Sequence, residues 1–135
     1  MTVQSYLFFD GRCEEAVGFY CDALGAQVQH LARYRESPEP LPPGMVPDGW
    51  GDKVMHVSLT IGDSVVMACD SSEARGFSGF SMSIGAQDED EADRMFAALA
   101  DGGKVTMPLA RTFWSAKFGM LTDRFGVPWM VNVDH

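Results

Sequence analysis

TFWSAKFGMLTDRFGVPWMVNVD, residues Thr112 to Asp134, is the stretch whose reading decides the fold. An apolar run from Ala116 to Leu121, a turn at Thr122-Asp123-Arg124-Phe125-Gly126 and a second apolar run from Val127 to Val133 make the pattern of a β-hairpin. Such a hairpin can close a sheet, so the chain before it has to supply the neighbouring strands.

It does so twice. Gly79 to Gly85 reads as a strand and Asp88 to Ala100 as a helix, opened by the Asp-x-x-Glu capping pair Asp88 and Glu91 and stopped by Gly102-Gly103; three strands follow. In the first half, Val3 to Phe9 reads as a strand ended by Asp10-Gly11. Cys13 to Leu24 is an amphipathic helix, with Ala16, Tyr20 and Leu24 at steps of four and Gly25 as C-cap. Gln27 to Arg35 reads as a half-exposed strand, and Val54 to Ile61 with Ser64 to Cys69 as a hairpin about Gly62-Asp63. An offset of 76 lays Glu15-Ala16 on Glu91-Ala92 and Phe19-Tyr20 on Met95-Phe96. The expectation is an α+β fold of two tandem βαβββ units, about 1–70 and 79–135, joined by a linker at 71–78 within a single domain. Between Ser37 and Asp52 stand five prolines, three glycines and Trp50 with no period, a loop of 16 residues that reads as a lid or a dimer arm.

Composition narrows the function. Ten basic against nineteen acidic side chains give a formal net charge of -9, which repels phosphate backbones and anionic lipid, so neither nucleic acid nor membrane is expected as a partner. No apolar run approaches the roughly 18 residues of a membrane span, and MTVQSYLFFDGR lacks the basic start of a signal peptide; a cytoplasmic protein is expected. Cys13, Cys21 and Cys69 are odd in number and unpaired in spacing, which reads as reduced thiols. No phosphate loop, nucleophile elbow or metalloprotease helix is present. The run Asp88-Glu89-Asp90-Glu91 is a charged first helical turn, favoured by the helix dipole.

Four stretches carry a resemblance to a known family: EEAVGFYCDALGA (Glu14 to Ala26), KVMHVSLTIGD (Lys53 to Asp63), MPLARTFWSAKFGMLTDRFGVPWMVN (Met107 to Asn132) and the Pro-rich loop between Pro38 and Trp50. In this order they resemble the vicinal-oxygen-chelate superfamily of glyoxalase I, extradiol dioxygenases and bleomycin-resistance proteins, and within it the PhnB-like branch. The resemblance implies the glyoxalase/bleomycin-resistance fold, with each unit curling its mixed sheet into half of a cup, and a homodimer. PhnB-like sequences often bear the label of a 3-demethylubiquinone 3-methyltransferase, for which this chain has no glycine-rich nucleotide-binding turn.

Metalloenzymes of the superfamily hold one divalent ion with His and Glu side chains from the first and last strand of each unit. Counted onto this chain, the closing carboxylate falls on Met130, seven residues after Asp123, and the opening histidine of the second unit on Ser81, seven before Asp88. The first strand offers Val3 or Gln4, and the strand from Ser64 offers Met67 or Cys69. A thioether is a poor ligand for a borderline divalent ion. No metal and no other cofactor are therefore expected.

What remains is a small-molecule site. His56 can serve as a general base or hydrogen-bond donor, or be a satisfied structural group. Ser81 is the second polar candidate, and Trp114, Phe118, Met67 and Met130 are the apolar ones. His30 reads as solvated and His135 as a disordered terminus. Asp70 and Asp123 read as turn residues, and Arg33 and Arg111 as solvated cations or clamps for an anion. The primary expectation is a metal-free binding protein. The alternatives are a lyase, isomerase or dioxygenase of the glyoxalase type, with a displaced metal or His56 as a metal-free base, and a dimeric interaction module whose cup is filled by its own side chains.

Overall fold

The computed structural model describes residues 1–135 and divides into two compact units, Met1–Gly76 and Phe77–His135. In the first unit, β1 (Ser5–Phe9), α1 (Cys13–Leu24), β2 (Gln27–Arg33), β3 (Val54–Ile61) and β4 (Ser64–Asp70) follow in order. The second repeats the plan with β5 (Met82–Gly85), α2 (Glu89–Ala100), β6 (Lys104–Ala110), β7 (Lys117–Thr122) and β8 (Pro128–Val133). The sheets have orders β1-β4-β3-β2 and β5-β8-β7-β6; in each the first strand runs parallel to the last and the other pairs are antiparallel. This is the expected two-unit α+β architecture, with two mixed four-stranded sheets and no closed barrel.

One face of each sheet is buried under its helix. In the first unit Leu7, Phe9, Val57, Leu59, Val66 and Ala68 meet Ala16, Val17, Tyr20 and Leu24. In the second, Leu121, Trp129, Val131 and Val133 meet Ala92, Phe96 and Leu99. Alternation then sends the intervening residues to the opposite face. Gly25 ends α1 in the left-handed region at φ 67°.

The helix starts differ from the sequence reading. At α2, Asp88 accepts from the Glu91 backbone N–H at 2.7 Å as expected, but the Glu91 carboxylate reaches Gln87 N–H instead of that of Asp88. At α1 no local side chain caps. The acceptor is Asp70 at the end of β4, whose Oδ1 takes the Cys13 N–H at 2.9 Å and whose Oδ2 takes the Val54 N–H at 3.0 Å. The Tyr34 hydroxyl also donates to the Asp70 carbonyl, at 2.6 Å. Asp70 is thus a buried clamp joining helix, sheet and loop rather than a turn residue. Asp123 is a turn residue and more: it accepts from Phe125 N–H, Val127 N–H and Trp129 Nε1–H.

Several element ends shift, by a single residue in β7 and β8. β1 begins at Ser5 rather than Val3, which is exposed. β2 stops at Arg33 because Tyr34–Glu36 turns into a single 3-10 turn, with Glu36 accepting from Arg33 N–H. β4 runs on to Asp70. β5 begins at Met82 because Gly79, at φ 80°, bends the chain. The segment 37–52 has turns but neither strand nor helix, and its ends are tied by Arg35 to Asp52 and by backbone bonds from Tyr34 and Arg35 to Lys53 and Gly51. Gly103 is more than a helix stop, since a Cβ there would collide with the Thr122 carbonyl.

Candidate functional site

On the first unit's sheet, the face away from α1 carries Tyr6 and Phe8 from β1, Met67 and Cys69 from β4, His56 from β3 and His30 from β2. Their positions follow from the register, which pairs Tyr6 with Met67, Phe8 with Cys69, Ser58 with both Met67 and His30, and Ala32 with His56. The centre of the group is a hydrogen bond of 3.0 Å between the Tyr6 hydroxyl and His56 Nδ1. The two rings stand 5.7 Å apart, with Phe8 5.1 Å from Tyr6 and His30 6.2 Å from His56. His56 is half-exposed, Phe8 is 51% exposed and Tyr6 36%, so this polar centre is framed by solvent-facing aromatics.

Burial keeps Tyr6 and Cys69 neutral. Burial pushes the Tyr6 phenol up to about 12 and also raises the Cys69 thiol, so both keep their protons at neutral pH. No lysine or arginine lies among these residues. Arg33, weighed as an anion clamp, grips Glu14 bidentately at 2.7 and 2.8 Å; its hydrogen bond holds that carboxyl below the usual range. Arg111 is exposed and joins none of the five ion pairs.

On the second unit's sheet, the face away from α2 carries Phe118 and Met120 from β7, Met130 and Asn132 from β8, and Ser83 from β5. Trp114 packs edge-on against Phe118 at 5.6 Å and Phe113 against Trp114 at 4.8 Å. That ladder is held by Ser115, fully buried, whose hydroxyl is bonded to the carbonyls of Lys117 and Val133. His135, expected to be disordered, is bonded through Nε2 to the Thr112 carbonyl at 3.0 Å.

The sequence-derived candidates therefore fall into two groups. His56 and Met67 share the first unit's open face. Trp114, Phe118 and Met130 share the second's, and Ser81 immediately precedes β5. His30 belongs with His56 rather than with solvent alone. The sequence expectation for the first strand, Val3 or Gln4, falls before β1, and Tyr6 and Phe8 occupy the open face instead. The alternation Tyr6-Leu7-Phe8-Phe9, two residues of which must face away from the helix, is the signal that would have found them. A hollow of ≈ 450 Å³ lined by Tyr34, Arg35 and 37–41 includes none of these residues.

The divalent ion implied by the fold can be tested against the donors present. Across the parallel pairs, Tyr6 faces Met67 in the first unit and Ser83 faces Met130 in the second. Phenol, hydroxyl and thioether replace imidazole and carboxylate, and no three His, Cys, Asp or Glu side chains converge anywhere in the chain. These residues do not fit the ion.

The comparisons agree with the geometry. Residues 2–131 match the family described as "Glyoxalase/Bleomycin resistance protein/Dioxygenase superfamily". Protein YjdN of Escherichia coli strain K12 is 36% identical over 143 residues, covering 98% of this chain and 95% of that protein. The crystal structure of protein PA1353 from Pseudomonas aeruginosa is 43% identical, covers 99% of this chain and 98% of its own, and superposes with a TM-score of 0.87. A PhnB protein of Bacillus cereus, named a putative 3-demethylubiquinone-9 3-methyltransferase, is 28% identical with a TM-score of 0.78, covering 98% of this chain and 99% of its own. With nearly its whole length matched by the family and by full-length relatives, this chain belongs to the glyoxalase/bleomycin resistance protein/dioxygenase superfamily.

Proposed function

We propose that this PhnB-like protein binds a small molecule without a resident metal ion, acting as a homodimer in the cytoplasm. The candidate ligand contacts, taken unit by unit, are His56 and Met67 on the first unit's open face, and Trp114, Phe118, Met130 and Ser81 on the second unit. The observation that carries the reading is the Tyr6–His56 pair: a hydrogen-bonded polar centre, half-exposed, inside an aromatic and sulphur frame. A few placed polar groups in an apolar surround are what a small-molecule site requires. The net charge of -9 and the absence of a cation beside His56 favour a neutral or weakly cationic ligand over an anion.

Methionine-methyl NMR of the protein titrated with a library of neutral aromatic fragments tests this. The Met67 and Met130 methyls are expected to shift with saturable, fragment-dependent curves, whereas a library that moves neither would contradict the reading. Sedimentation should give twice the 14.8 kDa chain mass. A second reading, catalysis with His56 as base, draws on the unengaged second nitrogen of its ring.

A further inference from the structure

The bond of 3.0 Å between the Tyr6 hydroxyl and His56 Nδ1 can run in two directions: Tyr6 O–H donates to a bare Nδ1, or Nδ1–H donates to Tyr6 Oη. A phenol is the more acidic donor and a neutral imidazole nitrogen the better acceptor, so the first direction gives the stronger bond. Burial raises the Tyr6 phenol, which keeps the proton that this direction needs. With Nδ1 occupied as an acceptor, the ring proton must sit on Nε2, the nitrogen with no partner in the protein.

We propose that Tyr6 is a positioning residue that fixes His56 in its Nε2–H tautomer, making the first unit's open face a donor site for neutral conjugated carbonyl compounds. The ligand's carbonyl oxygen accepts from His56 Nε2, and its planar frame lies against Tyr6, Phe8 and Met67. A carboxylate or phosphate is disfavoured because the face holds no cation. This rests on the reading above that the face binds a small molecule.

The test uses the full chain labelled with nitrogen-15 histidine, in a buffer alkaline enough that imidazole is neutral, with the His56 signals assigned by their loss in His56→Gln. Nδ1 is expected at the shift of a bare nitrogen and Nε2 at that of a protonated one; the reverse tautomer, or an even mixture, would overturn the proposal. Two probes of equal shape then separate the donor from the pocket: 2-acetylnaphthalene, with the carbonyl, and 2-isopropenylnaphthalene, without it. The ketone should bind about five- to tenfold more tightly and move the Nε2 signal, in line with one hydrogen bond of ordinary strength. Equal affinities would overturn the donor role while leaving the binding reading intact, and binding of neither probe at this face would overturn both. Tyr6→Phe should mix the tautomers and abolish the preference for the ketone; an unchanged tautomer in Tyr6→Phe would sink the positioning role.

Discussion

Cys13, Cys21 and Cys69 show how environment separates residues of one type. Cys13 is fully buried and its thiol is raised, by desolvation first and then by the Asp70 carboxylate; Cys69 is raised by burial, while Cys21 stands half-exposed on α1. Since only thiolate reacts, iodoacetamide in mildly alkaline buffer should label Cys21 alone on the timescale of a free thiol, and all three after denaturation. Mass spectrometry reads the sites directly, and rapid native labelling of Cys69 would contradict the burial. Tyr6 offers a second check. Its phenol is held neutral, so its contribution to stability is complete below the ordinary tyrosine value of 10.0 and is lost as pH rises through about 12. Ultraviolet titration should show a late-ionising tyrosine that disappears in Tyr6→Phe. At this scale the sequence was legible in part: His56 and Met67 could be singled out by type and strand position. Tyr6 can be placed on the outward side of its strand by alternation, but its bond to His56 cannot be read, because that partner lies 50 positions away.

At the scale of elements, the helix caps and the closing hairpin are where local and remote information divide. Gly25, the Asp88 cap and the Thr122–Gly126 turn were readable because their partners lie within a few residues. Asp70 was not, since it caps α1 from a strand 57 residues on in the chain. Asp123 carries three donors, and Asp123→Ala would leave the Val127 and Trp129 N–H groups buried without acceptors. A loss of about 3 kcal/mol in urea unfolding is expected, against about 1 kcal/mol for the exposed cap variant Asp88→Ala. Gly119 sits where β7 passes under α2, and a Cβ there would lie 2.8 Å from Phe96 Cε2 and 3.0 Å from Leu109 N. Gly119→Ala should therefore cost about 2 kcal/mol by overpacking, although glycine in a strand usually weakens it. An unchanged unfolding midpoint would contradict that packing.

For the whole molecule, the duplicated plan is legible in the sequence through the helices. The offset of 76 lays buried Ala16 on buried Ala92 and buried Tyr20 on buried Phe96. Carried back to the first strands, the same offset lays inward Leu7 on outward Ser83, so the units differ by one residue between strand and helix. That difference flips every side chain of the first strand relative to its helix. The donor chemistry at the corresponding positions is nonetheless plain in both units: phenol, hydroxyl and two thioethers where the superfamily's metalloenzymes use imidazole and carboxylate. The most direct test is elemental analysis of untagged protein after soaking in zinc, nickel, iron and manganese, followed by gel filtration. The account predicts no stoichiometric metal retained; about one ion per chain surviving the column would contradict it.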